Sequence, residues 1–556
     1  MGLFLLDYGA GNVQSLANSL VSLGYSFQWI KQPSDFAQAT SLIFPGVGAF
    51  ETAIGHLTAR GLFQPLKEYI LSGKPYFGIC IGMQVLFESS AEASSMGLGI
   101  IPCPIQKFDD EDKSVPHMGW NTADPLVSTD TEGVDASSYY YFVHSFCAKY
   151  EPERYPDAMR WVHTTTQYGQ EVFVSSVRRG NVFATQFHPE KSGKAGLALL
   201  EEWLSKPEAA HTHAPSAPLL NRTPKAAHNL TKRIVACMDV RANDHGDLVV
   251  TKGDQYDVRE KTTTADTAGA VRNLGKPVAL AARYYQAGAD ELCLLNITSF
   301  RHSPLQDQPM LAVVRAAAEC VFVPLTIGGG IKDSVDPDGT PRSALEVAGA
   351  YFRAGADKVS IGSEAVYAVE RYRASGAFDP KGAIESIAAV YGKQAVVVSI
   401  DPRRVYIDDP STYDGPYKDE LVYGAPDSVD ERERGKAWWY QCTVSGGRES
   451  RPLSAVQLAQ GVEALGAGEI LVNSIDRDGT GRGFDLALVN LIKKSVKIPV
   501  VASSGAGTAD HFVDVFEGTP VEAALAAGIF HRGEVGIDEV KQKMKAAGIN
   551  ARETSK

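Results

Sequence analysis

Basic charge is the scarcer sign in this sequence: 54 Lys and Arg stand against 66 Asp and Glu, a formal charge of −12 over 556 residues. That balance excludes a general nucleic-acid binder while leaving room for local basic phosphate sites. Cysteine is also sparse, seven in all and without a Cys-x-x-Cys pair. An odd, scattered set excludes a disulfide scaffold and a zinc ribbon, and no metal site is expected. No stretch reaches the roughly 18 consecutive apolar residues that a membrane span requires. The chain enters an apolar run at Leu3–Leu6, so no leader peptide is expected, and Leu6 stands where a myristoylation signal has Ser or Thr. The expected location is the cytosol, without a membrane partner. What the chain does have is 44% hydrophobic content, enough for two substantial cores.

The most informative stretch is Lys74-Pro75-Tyr76-Phe77-Gly78-Ile79-Cys80-Ile81-Gly82-Met83-Gln84. An apolar run, Tyr76 to Ile79, reads as a buried strand, and a helical pattern (Met83, Leu86, Phe87) follows at once. Cys80 is thereby predicted on a tight strand-to-helix corner, its sulfur presented beside a helix N-terminus. An isolated cysteine is more often a buried structural residue; glycines on both sides and a distant Phe187-His188-Pro189-Glu190 argue for a nucleophile. A thiolate attacking an amide needs a general base, and that base needs an orienting carboxylate. His188 and Glu190 supply both, and in extended chain alternate residues share a side.

Together, GICIGMQ and QFHPE resemble the class I glutamine amidotransferases, whose Cys-His-Glu triad hydrolyses glutamine and releases ammonia for a partner site. The upstream alternation of strand and helix (Phe4–Asp7, Val13–Leu23, Phe27–Ile30, Leu42–Phe44) makes this half α/β. By the resemblance, the Pro45-Gly46-Val47-Gly48 loop supplies an oxyanion N–H, with Gly46, Val47 and Gly48 as candidates. It also implies that Gln84, His144 and Ser145 contact the substrate amino acid, and that the segment Pro116–Asn121 faces the synthase partner.

Periodicity fails from about Ser205 to Leu230, where Ala, Pro, His, Asn and Thr dominate, so 205–230 is expected to be a linker between units 1–204 and 231–556. Beyond it come eight short apolar runs: Arg233–Val240, Glu291–Ile297, Val323–Gly330, Lys358–Ser363, Val396–Asp401, Glu469–Ile475, Pro499–Gly505 and Glu522–Phe530. With helical stretches between most of them, this is the count of a (β/α)8 barrel. A doubly wound open sheet is the alternative. An internal repeat favours the barrel, because Cys237-Met238-Asp239-Val240 echoes Ser399-Ile400-Asp401-Pro402 and Leu294-Leu295-Asn296 echoes Leu471-Val472-Asn473, in the same order.

Barrel chemistry sits at strand C-termini. Asp239 and Asp401 end equivalent strands of the two halves and form a candidate acid/base pair. Two sets of small-residue turns are candidate phosphate cradles. Gly328-Gly329-Gly330 with Gly362-Ser363 makes one; Asp478-Gly479-Thr480, Ser503-Ser504-Gly505 and Ala527-Gly528 make the other. Opposed cradles predict a long substrate with a phosphate at each end.

Cys-x-Asp-Val, Val-Thr-Lys-Gly, Ser-Ile-Asp-Pro and Asn473-Ser474-Ile475-Asp476-Arg477-Asp478-Gly479-Thr480 resemble the cyclases of the imidazole glycerol phosphate synthase family, here in the single-chain, glutaminase-fused form. The resemblance implies that glutamine-derived ammonia attacks a bisphosphorylated ribulosyl-formimino aminoimidazole carboxamide ribotide in histidine biosynthesis. It also implies Asp239 and Asp401 in the acid/base steps, Lys252 on a loop over the substrate, and no cofactor. Arg233, Glu291 and Lys358 begin barrel runs and Glu463 precedes another; spacing alone reads as a solvated salt-bridge cluster, whereas the resemblance implies a gate ring for ammonia. A monomer carrying both activities is expected. Ser504 stands where many relatives have glycine, and 402–441 carries a charged insertion with no assigned role. The barrel alone also resembles the sugar-phosphate isomerase of the same pathway, which has no use for a fused glutaminase.

Overall fold

A computed structural model describes residues 2–9, 11–46, 48–126, 133–206, 211, 220–242, 248–251, 276–297, 305–428 and 430–553. The N-terminal unit is built on an eight-stranded sheet in the order Gln28–Ile30, Leu3–Leu6, Ser41–Phe44, Tyr76–Ile79, Val182–Thr185, Glu171–Arg179, Val162–Tyr168 and Asp124–Pro125. The first five strands run parallel and the remaining three antiparallel. The central strands, such as Tyr76–Ile79 and Val182–Thr185, are buried along their length. Covering layers on both faces of a parallel sheet leave no residue of these strands in water, which is why they read as continuous apolar runs rather than alternating ones.

The second unit is a closed barrel. Its parallel strands are Arg233–Ala242, Glu291–Asn296, Leu325–Gly328, Lys358–Ile361, Val396–Ile400, Glu469–Asn473, Val500–Ser503 and Ala523–Ala526. Pairing of the last with the first, Arg233 opposite Ala523, closes the ring and rules out the open-sheet alternative. Alternation along the first strand sorts its side chains. Arg233, Val235, Cys237 and Asp239 take one side and Ile234, Ala236 and Met238 the other. Val235 and Cys237 pack with Cys293, Val397, Leu471, Val501 and Leu525 in an inner cluster, while Ile234, Ala236 and Met238 join the layer against the helices. The barrel interior is thus charged at its base, apolar in the middle and acidic at its mouth.

The base of the barrel docks on the N-terminal unit through buried polar contacts. Asn12 Nδ2 donates to Asp357 (2.8 Å), Lys191 pairs with the same carboxylate (2.7 Å), and Trp120 Nε1 donates to the Asp290 carbonyl (3.1 Å). The Arg552 guanidinium lies 4.0 Å from the Trp120 ring centroid. Residues 220–230 follow the surface of the N-terminal unit, with Gln167 donating to the Lys225 carbonyl and Asn229 to Thr122. The charged insertion folds as an antiparallel sheet, Pro402–Ile407, Val422–Tyr423, Ala437–Val444 and Glu449–Ser454, inserted before the helix Ala455–Leu465. Among the described residues no helix is long and apolar enough to cross a membrane.

Candidate active sites

The corner at Cys80 is as tight as its glycines imply. Cys80 has φ 50° and ψ −101°, a left-handed conformation that few non-glycine residues hold. Its N–H donates to the Thr185 carbonyl (2.7 Å), because Ile79 and Thr185 are paired on neighbouring parallel strands. That register brings the two motifs together, since both strands end at the same edge of the sheet. His188 hydrogen-bonds the Cys80 sulfur, and its Nδ1 lies 2.7 Å from Glu190 Oε1. Burial opposes a charge on His188, but the Glu190 carboxylate and the Cys80 sulfur outweigh it and raise the imidazole pKa well above its ordinary value. The constellation can therefore hold a proton on the histidine beside the sulfur.

Glycine is required at position 46, since a Cβ there would meet Ile79 O at 2.2 Å and Ile81 N at 2.5 Å. Gly48 has φ +148°, and Val47 lies outside the described residues. Gln84 sits close to the corner, with its Nε2 donating to the Phe146 carbonyl and to Gln186 Oε1, both at 3.0 Å. Gln186, not singled out from sequence, reaches the sulfur itself, its Nε2 lying 3.4 Å from Cys80 Sγ. Its position at the head of QFHPE was the available signal. Ser145 is half-buried, its carbonyl accepting from Phe108 N.

His144 is held within the N-terminal unit. Its Nδ1 donates to the Phe146 carbonyl (2.8 Å) and its Nε2 faces His117 Nδ1 (3.2 Å), so both ring nitrogens are occupied inside an aromatic cluster with Phe108, Phe142 and Phe173. Burial pushes its pKa down to about 3. This imidazole is neutral and hydrogen-bonded through both nitrogens.

At the base of the barrel, Arg233 contacts Glu291 (2.6 Å) and Glu469 (2.5 Å), and Lys358 contacts Glu469 (2.6 Å) and Glu291. Two cations and two anions alternate around a closed ring, each side chain no more than 2% exposed. Burial disfavours the charged form of Glu469, yet Arg233 and Lys358 hold its pKa below the usual value. Here the structure corrects the expectation: the fourth corner is Glu469, not Glu463. Glu463 lies on the outer helix Ala455–Leu465 and accepts from the Lys497 and Ile498 N–H groups (2.7 and 3.1 Å). Glu469 opens the sixth barrel strand, in the position that Arg233, Glu291 and Lys358 hold on theirs. Lys358 Nζ also lies 3.5 Å from Met118 Sδ, so the ring touches the 116–121 segment of the N-terminal unit.

The mouth holds a cavity of about 420 Å³ lined by Asp239, Asp478–Gly481, Ser503–Gly507 and Ala527–Gly528. One candidate cradle and one candidate acid thus share a space. Ser504 carries φ +74°, the left-handed conformation that glycine holds without strain. Asp401, following the fifth strand, accepts from Asn473 Nδ2 (2.8 Å); burial raises its pKa, the Asn473 hydrogen bond lowers it, and nearby Asp478 raises it again. In the other set, Gly329 and Gly330 have φ +92° and +80°, and a Cβ at Gly329 would lie 2.1 Å from Asn296 O. Gly362 and Ser363 open the helix Ser363–Ser375, and Ser363 Oγ accepts from Ser445 N (2.9 Å). Lys252 lies outside the described residues. Missed from sequence were Thr251 and His531, which line the cavity with Thr251 Oγ1 and His531 Nε2 buried and without a hydrogen-bond partner among the described residues.

Fold and sites together define a glutamine amidotransferase joined to a (β/α)8 synthase barrel. Residues 4–206 match the family described as glutamine amidotransferase class-I, and residues 233–536 match the histidine biosynthesis protein family. The chain is 52% identical to the imidazole glycerol phosphate synthase hisHF of Emericella nidulans over 99% of its own length and 98% of the relative's. It is 50% identical to the protein of the same name from Schizosaccharomyces pombe, covering 97% of each. It is 37% identical to the imidazole glycerol phosphate synthase subunit HisF of Haloarcula marismortui, over 58% of this chain and 99% of that one. The chain belongs to the imidazole glycerol phosphate synthase family, as a bifunctional enzyme of histidine biosynthesis with its glutaminase and cyclase in one polypeptide.

Proposed function

We propose that glutamine is hydrolysed at Cys80 and that its nitrogen reaches the barrel mouth through the barrel. Cys80 Sγ attacks the amide carbon, the oxyanion rests on the Gly46–Gly48 loop, and His188, oriented by Glu190, protonates the amide nitrogen as the C–N bond breaks, leaving a thioester and neutral ammonia. Water then cleaves the thioester with His188 as base. Gln84 acts through Gln186, and Ser145 borders the glutamine pocket. The ammonia crosses the Arg233–Glu291–Lys358–Glu469 ring and the apolar layer above it, where it stays neutral and nucleophilic. At the mouth it meets the bisphosphorylated ribulosyl-formimino aminoimidazole carboxamide ribotide. One phosphate is held by the 478–480, 503–505 and 527–528 turns, with Thr251 and His531, and the other by Gly329, Gly330, Gly362 and Ser363; Lys252 is taken to act on the substrate as the family resemblance implies. Asp239 and Asp401 carry the proton transfers that release imidazole glycerol phosphate and aminoimidazole carboxamide ribotide.

The observation that carries this reading is the ring's contact with Met118, which sets the base of the barrel against the glutaminase and its acidic mouth at the far end. The test is glutamine labelled with nitrogen-15 at its amide, turned over in excess unlabelled ammonium. Undiluted label in the imidazole ring is expected; dilution to the solution ratio would overturn the enclosed route. The same reading takes 1–204 and 231–556 as the working units joined by 205–230, acting as a cytosolic monomer. Seven free thiols suit a reducing compartment, and light scattering on the purified chain checks the mass.

A further inference from the structure

One carboxylate of the insertion, Glu433, bridges the inserted sheet and the loop at the cyclase mouth. Glu433 Oε1 accepts from Arg404 Nη1 (2.6 Å) and from Arg477 Nη2 (2.7 Å). Arg404 lies in the first inserted strand, three residues after Asp401, and its other nitrogen donates to Asp485 (2.7 Å). Arg477 immediately precedes Asp478–Gly481, which line the substrate cavity. The loop is gripped further at Asp476, which accepts from Arg404 N (2.8 Å), and at Arg482, which pairs with Asp430 (2.8 Å). Insertion residues thus hold this loop at both ends.

The loop needs such a grip. Gly479, Gly481 and Gly483 all have positive φ, and three such glycines in five residues leave the free backbone many shapes. Yet it must meet the opposite turn closely, with Gly483 N donating to Gly505 O (2.8 Å). The pairs that hold it are not loose surface ion pairs: the side chains of Arg404, Asp485, Glu433 and Arg477 are 3%, 2%, 14% and 15% exposed. Partly buried, charge-assisted pairs at these distances fix geometry.

Resting on the cyclase reading above, we infer that Glu433 is a positioning residue of that site: it preorganises residues 476–485 for the phosphate end of the substrate. The charged insertion is then a latch on the substrate loop.

The test uses the full chain with ammonium salt as the nitrogen source. Glu433→Ala is expected to raise KM for the bisphosphate substrate about tenfold while kcat changes less than about threefold, the pattern of lost preorganisation. Glu433→Asp, which keeps the carboxylate, should recover most of the affinity. Basal glutamine hydrolysis without barrel ligand should match the wild type. Arg477→Met should show the same rise in KM, and the double variant no further rise. Should Glu433→Ala fail to fold, Arg477→Met reads the latch from the loop side. An unchanged KM in both single variants, or a loss confined to kcat, overturns the latch while an inactive Asp239→Asn leaves the cyclase assignment standing. Normal cyclisation by Asp239→Asn would remove that assignment and the latch with it.

Discussion

The two ends of the barrel are built on opposite principles. The base is closed by four side chains whose charges cancel within one buried ring. The mouth is a cavity walled by short glycine- and serine-rich turns, with Asp239 in its lining. Taking four ions out of water is costly unless each is matched, so removing one corner leaves a buried charge without its partner. The same eight strands therefore give a base that is strict about charge and a mouth that is strict about shape.

The largest expected effect lies beyond the base. Cys80→Ala should lower glutamine-dependent turnover at least about a thousandfold while ammonium-driven cyclisation survives; loss of both would mean that the two ends are not separable. Asp239→Asn should stop the mouth alone, cutting cyclisation about a hundredfold or more with either nitrogen source. Lys358→Met tests the strictness of the base directly. It leaves Glu291 and Glu469 against a single cation, so a loss of about 3 kcal/mol in urea denaturation is expected, with glutamine hydrolysis no longer matched by product. Unchanged stability and stoichiometry would show that the ring is neither strict nor a gate.

Smaller effects sharpen the mouth. At constant free ammonia, Asn473→Ala should move the Asp401 limb of the cyclisation pH profile upward, because it removes the hydrogen bond that holds that pKa down, and Asp478→Asn should move it downward by removing a like charge. Limbs moving the other way would reassign the titration. Smallest, Ser504→Gly should stabilise the chain by about 0.5–1 kcal/mol by relieving the left-handed φ, read as a raised denaturation midpoint.

Much of this protein was legible before any coordinate. Strand runs, helix spacing and the glycine corner around Cys80 are local matters of backbone sterics and burial, and they yielded the α/β half, the barrel and its repeat. Cys80, Asp239 and Asp401 could be named as candidates because apolar runs lead into them, and His188 and Glu190 because a thiolate needs a base and an orienting carboxylate and the QFHPE motif offers both. Which neighbours those side chains meet is a question of register and closure between distant segments. Sequence proximity misled at Glu463, because the ring is assembled by strands side by side around the barrel rather than by order along the chain. The pairing of His144 with His117 depends on two strands meeting antiparallel, and Thr251 and His531 entered the mouth only through the folding of distant ends onto one cavity. A single chain's pattern determines what each segment becomes; only the closed tertiary structure decides which buried charges must neutralise one another, because that depends on distances through a low-dielectric interior that no linear spacing encodes.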